Sequence, residues 1–244
     1  YMRSDDCLMQ FLSNSLDDPH AQTCERCVNC VGNNYYPIDV PDMVTNEAAI
    51  FLKRNYQKIE PRRSWPAGIR FENHQWSGRI PENLRANDGR ALALWGDAGW
   101  GRQIREGKYT LNHFSDDLVQ ACANMVCEWE ISEDICWVTS VPSLNHPDLV
   151  PNFAKRLANE LNINFNSCVE KISENSQQKN MFNSYQQAQN LNGVFRINRE
   201  IQNTPVLLVD DMIDSRWTIT VVTTLLREKG SGSVYPLALA LNNL

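Results

Sequence analysis

Val206-Leu207-Leu208-Val209-Asp210-Asp211-Met212-Ile213-Asp214-Ser215-Arg216-Trp217-Thr218 runs from an apolar segment through an acidic pair and a short polar turn into a helix start. Residues 206–209 are apolar without alternation, which predicts a strand buried on both faces, as in a parallel sheet. An amphipathic helix is expected over 217–229, stopped by Gly230, and a last strand over Val234–Leu241. A strand that delivers backbone amides and hydroxyls to a helix N-terminus is a cradle for phosphate. The paired carboxylates Asp210 and Asp211 suit vicinal ribose hydroxyls or a divalent ion. The plainer reading is an acidic strand end ahead of an ordinary helix.

Working outward, the same alternation continues. Ser115 is placed to cap a helix carrying Leu118, Ala121, Cys122 and Met125 on one face, and the apolar run 135–141 ends at Pro142. A helix follows over 148–161 with Leu149, Phe153, Leu157 and Leu161 four apart, then a strand near 168–172. Strands alternating with helices predict an α/β domain over 115–244, its parallel sheet covered on both faces.

The stretch 206–218 resembles the phosphoribosyl-pyrophosphate signature of class I phosphoribosyltransferases. The resemblance implies a Rossmann-like parallel sheet in which Asp210 and Asp211 meet the ribose. Asp214, Ser215, Arg216, Trp217 and Thr218 then surround the 5′-phosphate, with magnesium and phosphoribosyl pyrophosphate as the ligand pair. Arg216 stands where the family has glycine, a position at which backbone approaches phosphate. Arginine there either adds a bidentate phosphate contact or fills the pocket. Val138-Thr139-Ser140-Val141-Pro142-Ser143 is similar to the first strand and pyrophosphate loop of ComF-like members, and residues 186–195 to their segment before the signature strand. Those members carry arginines after the first strand, whereas Leu144-Asn145-His146-Pro147-Asp148 supplies none. A pyrophosphate leaving group needs cationic or metal stabilisation, so no catalytic residue is assigned.

At the other end, Cys7, Cys24, Cys27 and Cys30 read C-x16-C-x2-C-x2-C. Two residues between thiolates let both hold one ion from a tight turn, and four sulfurs close a tetrahedral shell. Structural zinc is expected, with an iron–sulfur cluster as the competing occupant and His20 as a loop histidine beside it. Cys7-Leu8-Met9-Gln10-Phe11-Leu12, the gap, and Cys24-Glu25-Arg26-Cys27-Val28-Asn29-Cys30 resemble the zinc-binding module of RecQ-family helicases over residues 1–32. Leu8 and Met9 replace that family's basic residues after the first cysteine. The resemblance implies the C-terminal accessory region of an ATP-dependent helicase acting in DNA unwinding, repair or recombination, packed behind motor lobes. It also implies that ATP is used only in a motor lying outside this chain, since no G-x-x-x-x-G-K-[ST] occurs.

The net charge of −6 hides an asymmetry. Between Thr45 and Lys108, twelve Lys/Arg face seven Asp/Glu, a balance of +5, and the remainder carries −11. Basic residues alternate there with Tyr56, Trp65, Phe71, Trp76 and Trp95, which suits single-stranded or junction DNA; Arg62, Arg63, Trp65 and Arg70 are the candidate contacts. The competing reading packs those tryptophans into a small core. Residues 31–44 read as a linker, 47–57 as a helix, 89–106 as partly helical, and 33–114 as a basic region for which a winged-helix-like arrangement is expected. With 42% hydrophobic residues the chain can bury a core, and no apolar run is long enough to span a bilayer. Eight cysteines without an export signal point to a reducing compartment, so a cytoplasmic, nucleoid-associated setting is expected. The last domain is expected to bind a phosphoribosyl or nucleotide ligand or a DNA end, to act as a transferase, or to serve as a docking module.

Overall fold

The computed structural model describes residues 1, 3–32, 39–71, 74–131, 134–173 and 183–242. It divides into two compact units, 1–48 and 49–244.

In the first unit, Cys7 precedes α1 (Leu8–Ser15), Cys27 precedes the single turn α2 (Val28–Val31), Cys30 lies in α2 and Cys24 lies in the segment between the two. Cys7 caps α1: its Sγ accepts from the Gln10 amide. Cys7 is also the one buried residue among the described residues of this unit, while Phe11, Leu12 and Leu16 stay exposed. A segment without an apolar core needs another source of order. The linker read into 31–44 falls partly outside the described residues, and α3 (Asp42–Lys53) begins within it, earlier than the helix expected at 47.

The second unit is built on a six-stranded sheet of order β1-β2-β8-β7-β3-β4. Its strands are β1 (Gln57–Ile59), β2 (Gly89–Leu94), β3 (Trp137–Ser140), β4 (Asn164–Phe165), β7 (Val206–Ile213) and β8 (Val234–Leu241). Only the β1–β2 pairing is antiparallel. A separate hairpin-like pair joins β5 (Val169–Lys171) to β6 (Phe195–Ile197). The helices are α4 (Gly101–Glu106), α5 (Asp116–Cys127), α6 (Leu149–Glu160), α7 (Ser184–Gln189) and α8 (Trp217–Glu228). The fold is therefore mixed α/β with a mostly parallel sheet, as the alternating apolar text predicts. β7 outlasts its apolar run because the ladder continues through Asp210↔Ala238 to Ile213↔Leu241.

Successive residues of β7 serve opposite layers. Val206 and Leu208 join Trp65, Trp217 and Phe195 on one face; Leu207 and Val209 join Leu118, Phe153 and Leu157 on the other. Each such fully buried side chain contributes roughly 1.5–3 kcal/mol.

The expected boundary between 33–114 and 115–244 gives way here. β1 and β2 complete the sheet, so the segment from Gln57 onward belongs to the α/β unit in place of a winged-helix-like arrangement. Residues 89–94, with Ala and Leu that favour helix, are a strand because β8 offers a parallel edge: Arg90↔Leu237 through Leu94↔Leu241. Gly89 is required there, since a Cβ would sit 2.4 Å from the Pro236 carbonyl oxygen.

The tryptophans of the basic stretch are core. Trp65 lies between Trp76 (5.1 Å, 4°) and Trp217 (5.9 Å, 17°), and His74 stacks outside Trp76 at 4.0 Å. The Arg62 guanidinium caps the other end, 3.9 Å above Trp217.

Candidate functional site

β3 and β7 are neighbours, yet their crossovers depart in opposite directions. α6 leads from β3 to β4 on one side, and α8 leads from β7 to β8 on the other. Strand order reverses between them, and the carboxyl ends of strands at such a reversal form a crevice for ligands. A cleft of about 400 Å³ opens there. Its walls include the loop after β3 (Val141, Pro142, Ser143), the end of β7 with the turn to α8, Lys171 and Phe195 from β5 and β6, and Lys108 and Tyr109 from outside the signature.

Six of the seven predicted phosphate and ribose residues line this cleft: Asp210, Asp211, Asp214, Ser215, Arg216 and Thr218. The exception is Trp217, whose ring is buried in the aromatic column, leaving only its backbone to the loop. Arg216 adopts φ +67°, the left-handed conformation that favours glycine, and no side chain caps the α8 N-terminus it precedes. Its Nη1 donates to the Glu60 carbonyl at 3.2 Å, which ties the guanidinium to the end of β1. The helix N-terminus, with its positive dipole end, is thus framed by the Ser215 and Thr218 hydroxyls.

The acidic pair is electrostatically split. Asp210 accepts from the Asp211 amide at 2.9 Å, while Asp211 Oδ2 meets Lys108 Nζ at 2.9 Å. Burial first, and the neighbouring Asp211 carboxylate second, push Asp210 well above the usual carboxylate range; Lys108 opposes this only in part. For Lys108 burial works against the charge, but Asp211 and then Asp210 outweigh it and hold the ammonium above its ordinary value.

Sequence reasoning missed Lys108 as a site residue. It sits on a π-helical turn, Gly107–Leu111, that follows α4, a kind of turn that often marks functional positions. Nothing local in its sequence distinguishes it from the other basic residues of the stretch. His146, beside the loop after β3, is held by Asn112 Oδ1 at 2.8 Å.

The four candidate DNA contacts separate. Arg63 and Arg70 are exposed. Trp65 is 5% exposed, so its faces are spent on Trp76 and Trp217 rather than on bases. Arg62 is partly buried; its Nε donates to the Ser215 carbonyl at 2.8 Å, and burial first and Arg216 second bring its pKa down to about 10. It buttresses the phosphate turn.

In the first unit, the Sγ atoms of Cys7, Cys24, Cys27 and Cys30 all lie within 4.8 Å of one another. Cys27 is 3.4 Å from Cys30 and 4.0 Å from Cys7, bracketing the edge of about 3.8 Å that a tetrahedral zinc–sulfur shell requires. The amides of Gln10 and Cys24 point at Cys7 Sγ (3.4 and 3.2 Å) and lower its pKa, favouring the thiolate a metal takes. Asn29 Nδ2 donates at 2.7 Å to the carbonyls of Ser4 and Asp6, clamping the chain ahead of α1. The cluster is compatible with a structural metal such as zinc, and His20 stands outside it. Among the described residues no helix is long and apolar enough to cross a membrane.

No family model matches the sequence, and no curated protein matches it. Among solved structures, an adenine phosphoribosyltransferase aligns at TM-score 0.35 and 14% identity, covering 78% of this chain and 89% of its own. The adenine phosphoribosyl transferase from Trypanosoma brucei, in complex with AMP, pyrophosphate and ribose-5-phosphate, aligns at TM-score 0.37 and 11% identity, covering 84% and 81%. Likeness at this level bears on neither substrate nor activity.

Proposed function

We propose that the α/β unit binds a small ligand carrying a ribose 5-phosphate group in the cleft between β3 and β7. The observation that carries this reading is the convergence, at the point where strand order reverses, of an acidic pair and an uncapped helix N-terminus on one cleft. The turn Asp214–Thr218 would take the phosphate, and Asp210 and Asp211 the ribose hydroxyls. For transferase chemistry the loop Val141–Pro142–Ser143 brings neither lysine nor arginine to a pyrophosphate, and the cleft's lysines come from elsewhere, Lys108 and Lys171. Calorimetric titration with ribose 5-phosphate, and with phosphoribosyl pyrophosphate plus magnesium, tests the assignment. Heat is expected from the wild type and none from Asp210→Asn combined with Asp211→Asn; an inert wild type at millimolar ligand refutes it.

A second reading rests on the four converging thiols and their spacing: the chain is the zinc-stabilised accessory region of a RecQ-like helicase and touches DNA. With Trp65 in the core and Arg62 spent on the phosphate turn, the exposed Arg63 and Arg70 remain as candidate contacts. Replacing both by alanine would weaken single-strand binding and lower its salt slope by up to about two. Unchanged anisotropy titrations would remove DNA from the account of this stretch.

A further inference from the structure

The acidic pair that the resemblance assigns to a magnesium-assisted site does not present itself as one. Lys108 Nζ stands 2.9 Å from Asp211 Oδ2, with only 15% and 14% of the two side chains exposed. The ammonium arrives on a π-helical turn whose Gly107 packs so tightly that a Cβ would lie 2.8 Å from the His113 carbonyl oxygen. The lysine is therefore carried on a tightly packed turn from a distant part of the chain and is itself largely buried, unlike an exposed surface lysine that happens to meet a carboxylate. A divalent ion at this point would lie beside a fixed positive charge and compete with it for Asp211.

We propose that Lys108 is the resident cation of this cleft, filling the place at Asp211 that a divalent metal would take, so that the cleft binds a ribose 5-phosphate monoester without divalent metal.

The monoester follows from where the remaining positive potential lies. The α8 N-terminus serves one phosphate, beside Ser215 and Thr218. The loop after β3 offers Val141, Pro142 and Ser143 to whatever occupies the C1 side of the sugar, with no lysine or arginine among them. A diphosphate there would find no metal and no lysine or arginine from the loop itself, the cleft's further cations being Lys171 on β5 and Arg216 at the α8 turn.

This inference rests on the ligand reading above for its substrate class but not for its metal claim, and the experiment separates the two. Manganese, added to the zinc-loaded chain without organic ligand, is followed by water-proton relaxation in the wild type, in Asp211→Asn, in Lys108→Met and in Lys108→Met combined with Asp211→Asn. Methionine keeps most of the lysine stem's packing, and circular dichroism checks that each variant is folded. The expected result is no uptake by the wild type, uptake by Lys108→Met, and its loss in the double variant. Uptake by the wild type that Asp211→Asn abolishes overturns the proposal, as does a Lys108→Met protein that binds no manganese. Ribose 5-phosphate is then titrated into the wild type in EDTA and in magnesium, where affinities equal within about twofold support the proposal. Binding seen only with magnesium overturns it. An inert wild type in both buffers would remove the ligand reading while the manganese result stood.

Discussion

Replacing Arg62 by alanine distinguishes a buttress of the phosphate turn from a solvated DNA contact. The guanidinium lies 3.9 Å over the Trp217 ring and its Nε donates to the Ser215 carbonyl at 2.8 Å. A partly desolvated cation–π contact is worth about 1–2 kcal/mol. Leaving the Ser215 carbonyl without its donor costs about 1–3 kcal/mol more, less whatever water recovers at this partly exposed site. Against these stand the burial of the charge and its repulsion by Arg216, the two causes that lower the Arg62 pKa to about 10. The expected net loss is about 2 kcal/mol, toward the upper range of ordinary single substitutions. For a unit of this size that corresponds to a fall in melting temperature of about 4–8 °C. Lysine should recover less than half, because it can neither lie flat on the indole nor offer the Nε–H in the same plane. Differential scanning calorimetry of wild type, Arg62→Ala and Arg62→Lys measures this directly. A shift below about 1 °C for alanine, within the range of ordinary surface substitutions, would refute the buttress.

Two further outcomes follow from the same geometry. Cys27→Ser, or chelation of the metal, should abolish the folded N-terminal unit, because Cys7 is the only buried residue among its described ones and metal binding supplies on the order of 10 kcal/mol to such segments; native-like NMR dispersion of Leu8–Ser15 without metal would contradict this. Asp210→Asn should stabilise the α/β unit at pH 7.5, where burial disfavours the carboxylate. An acid raised on folding holds its proton longer in the folded chain, so the wild type loses stability as pH rises from the unfolded value of about 3.9. The advantage of asparagine should therefore disappear near pH 4 in urea titrations, and an advantage independent of pH would disprove the assignment.

The parts of the fold legible in the sequence are those whose signal is local. Val234–Leu241 was expected at those bounds, and the helices after Asp148 and Arg216 start within a residue of their predicted positions, because each carries its own apolar period. β2 was not legible: Arg90-Ala91-Leu92-Ala93-Leu94 has helix-forming composition, and only the parallel edge of β8 makes it a strand. Trp65 and Arg62 were misplaced for a related reason. An aromatic and basic stretch has the same composition whether its rings stack on bases or on each other, and the column Trp217–Trp65–Trp76 is decided by residues far apart in sequence.

The cleft shows the same division between local and distant information. Asp210, Asp211 and the turn after them lie on one contiguous stretch, so the signature text places them together at the end of β7. Arg216 reads in sequence as a position of close backbone approach to phosphate; its left-handed backbone, φ +67°, emerges only in the structure. What no local pattern encodes is the surroundings of the acids: Lys108 arrives at Asp211 on a separate turn, and burial in the folded unit is what chiefly raises Asp210. Electrostatics couple groups by distance in space, and a few ångströms between an ammonium and a carboxylate change what the carboxylate can hold. An acidic pair that reads as a metal and ribose site in sequence thus becomes, once the unit is folded, a pair with one member salt-bridged to Lys108 and one that burial and its neighbour push toward its protonated form.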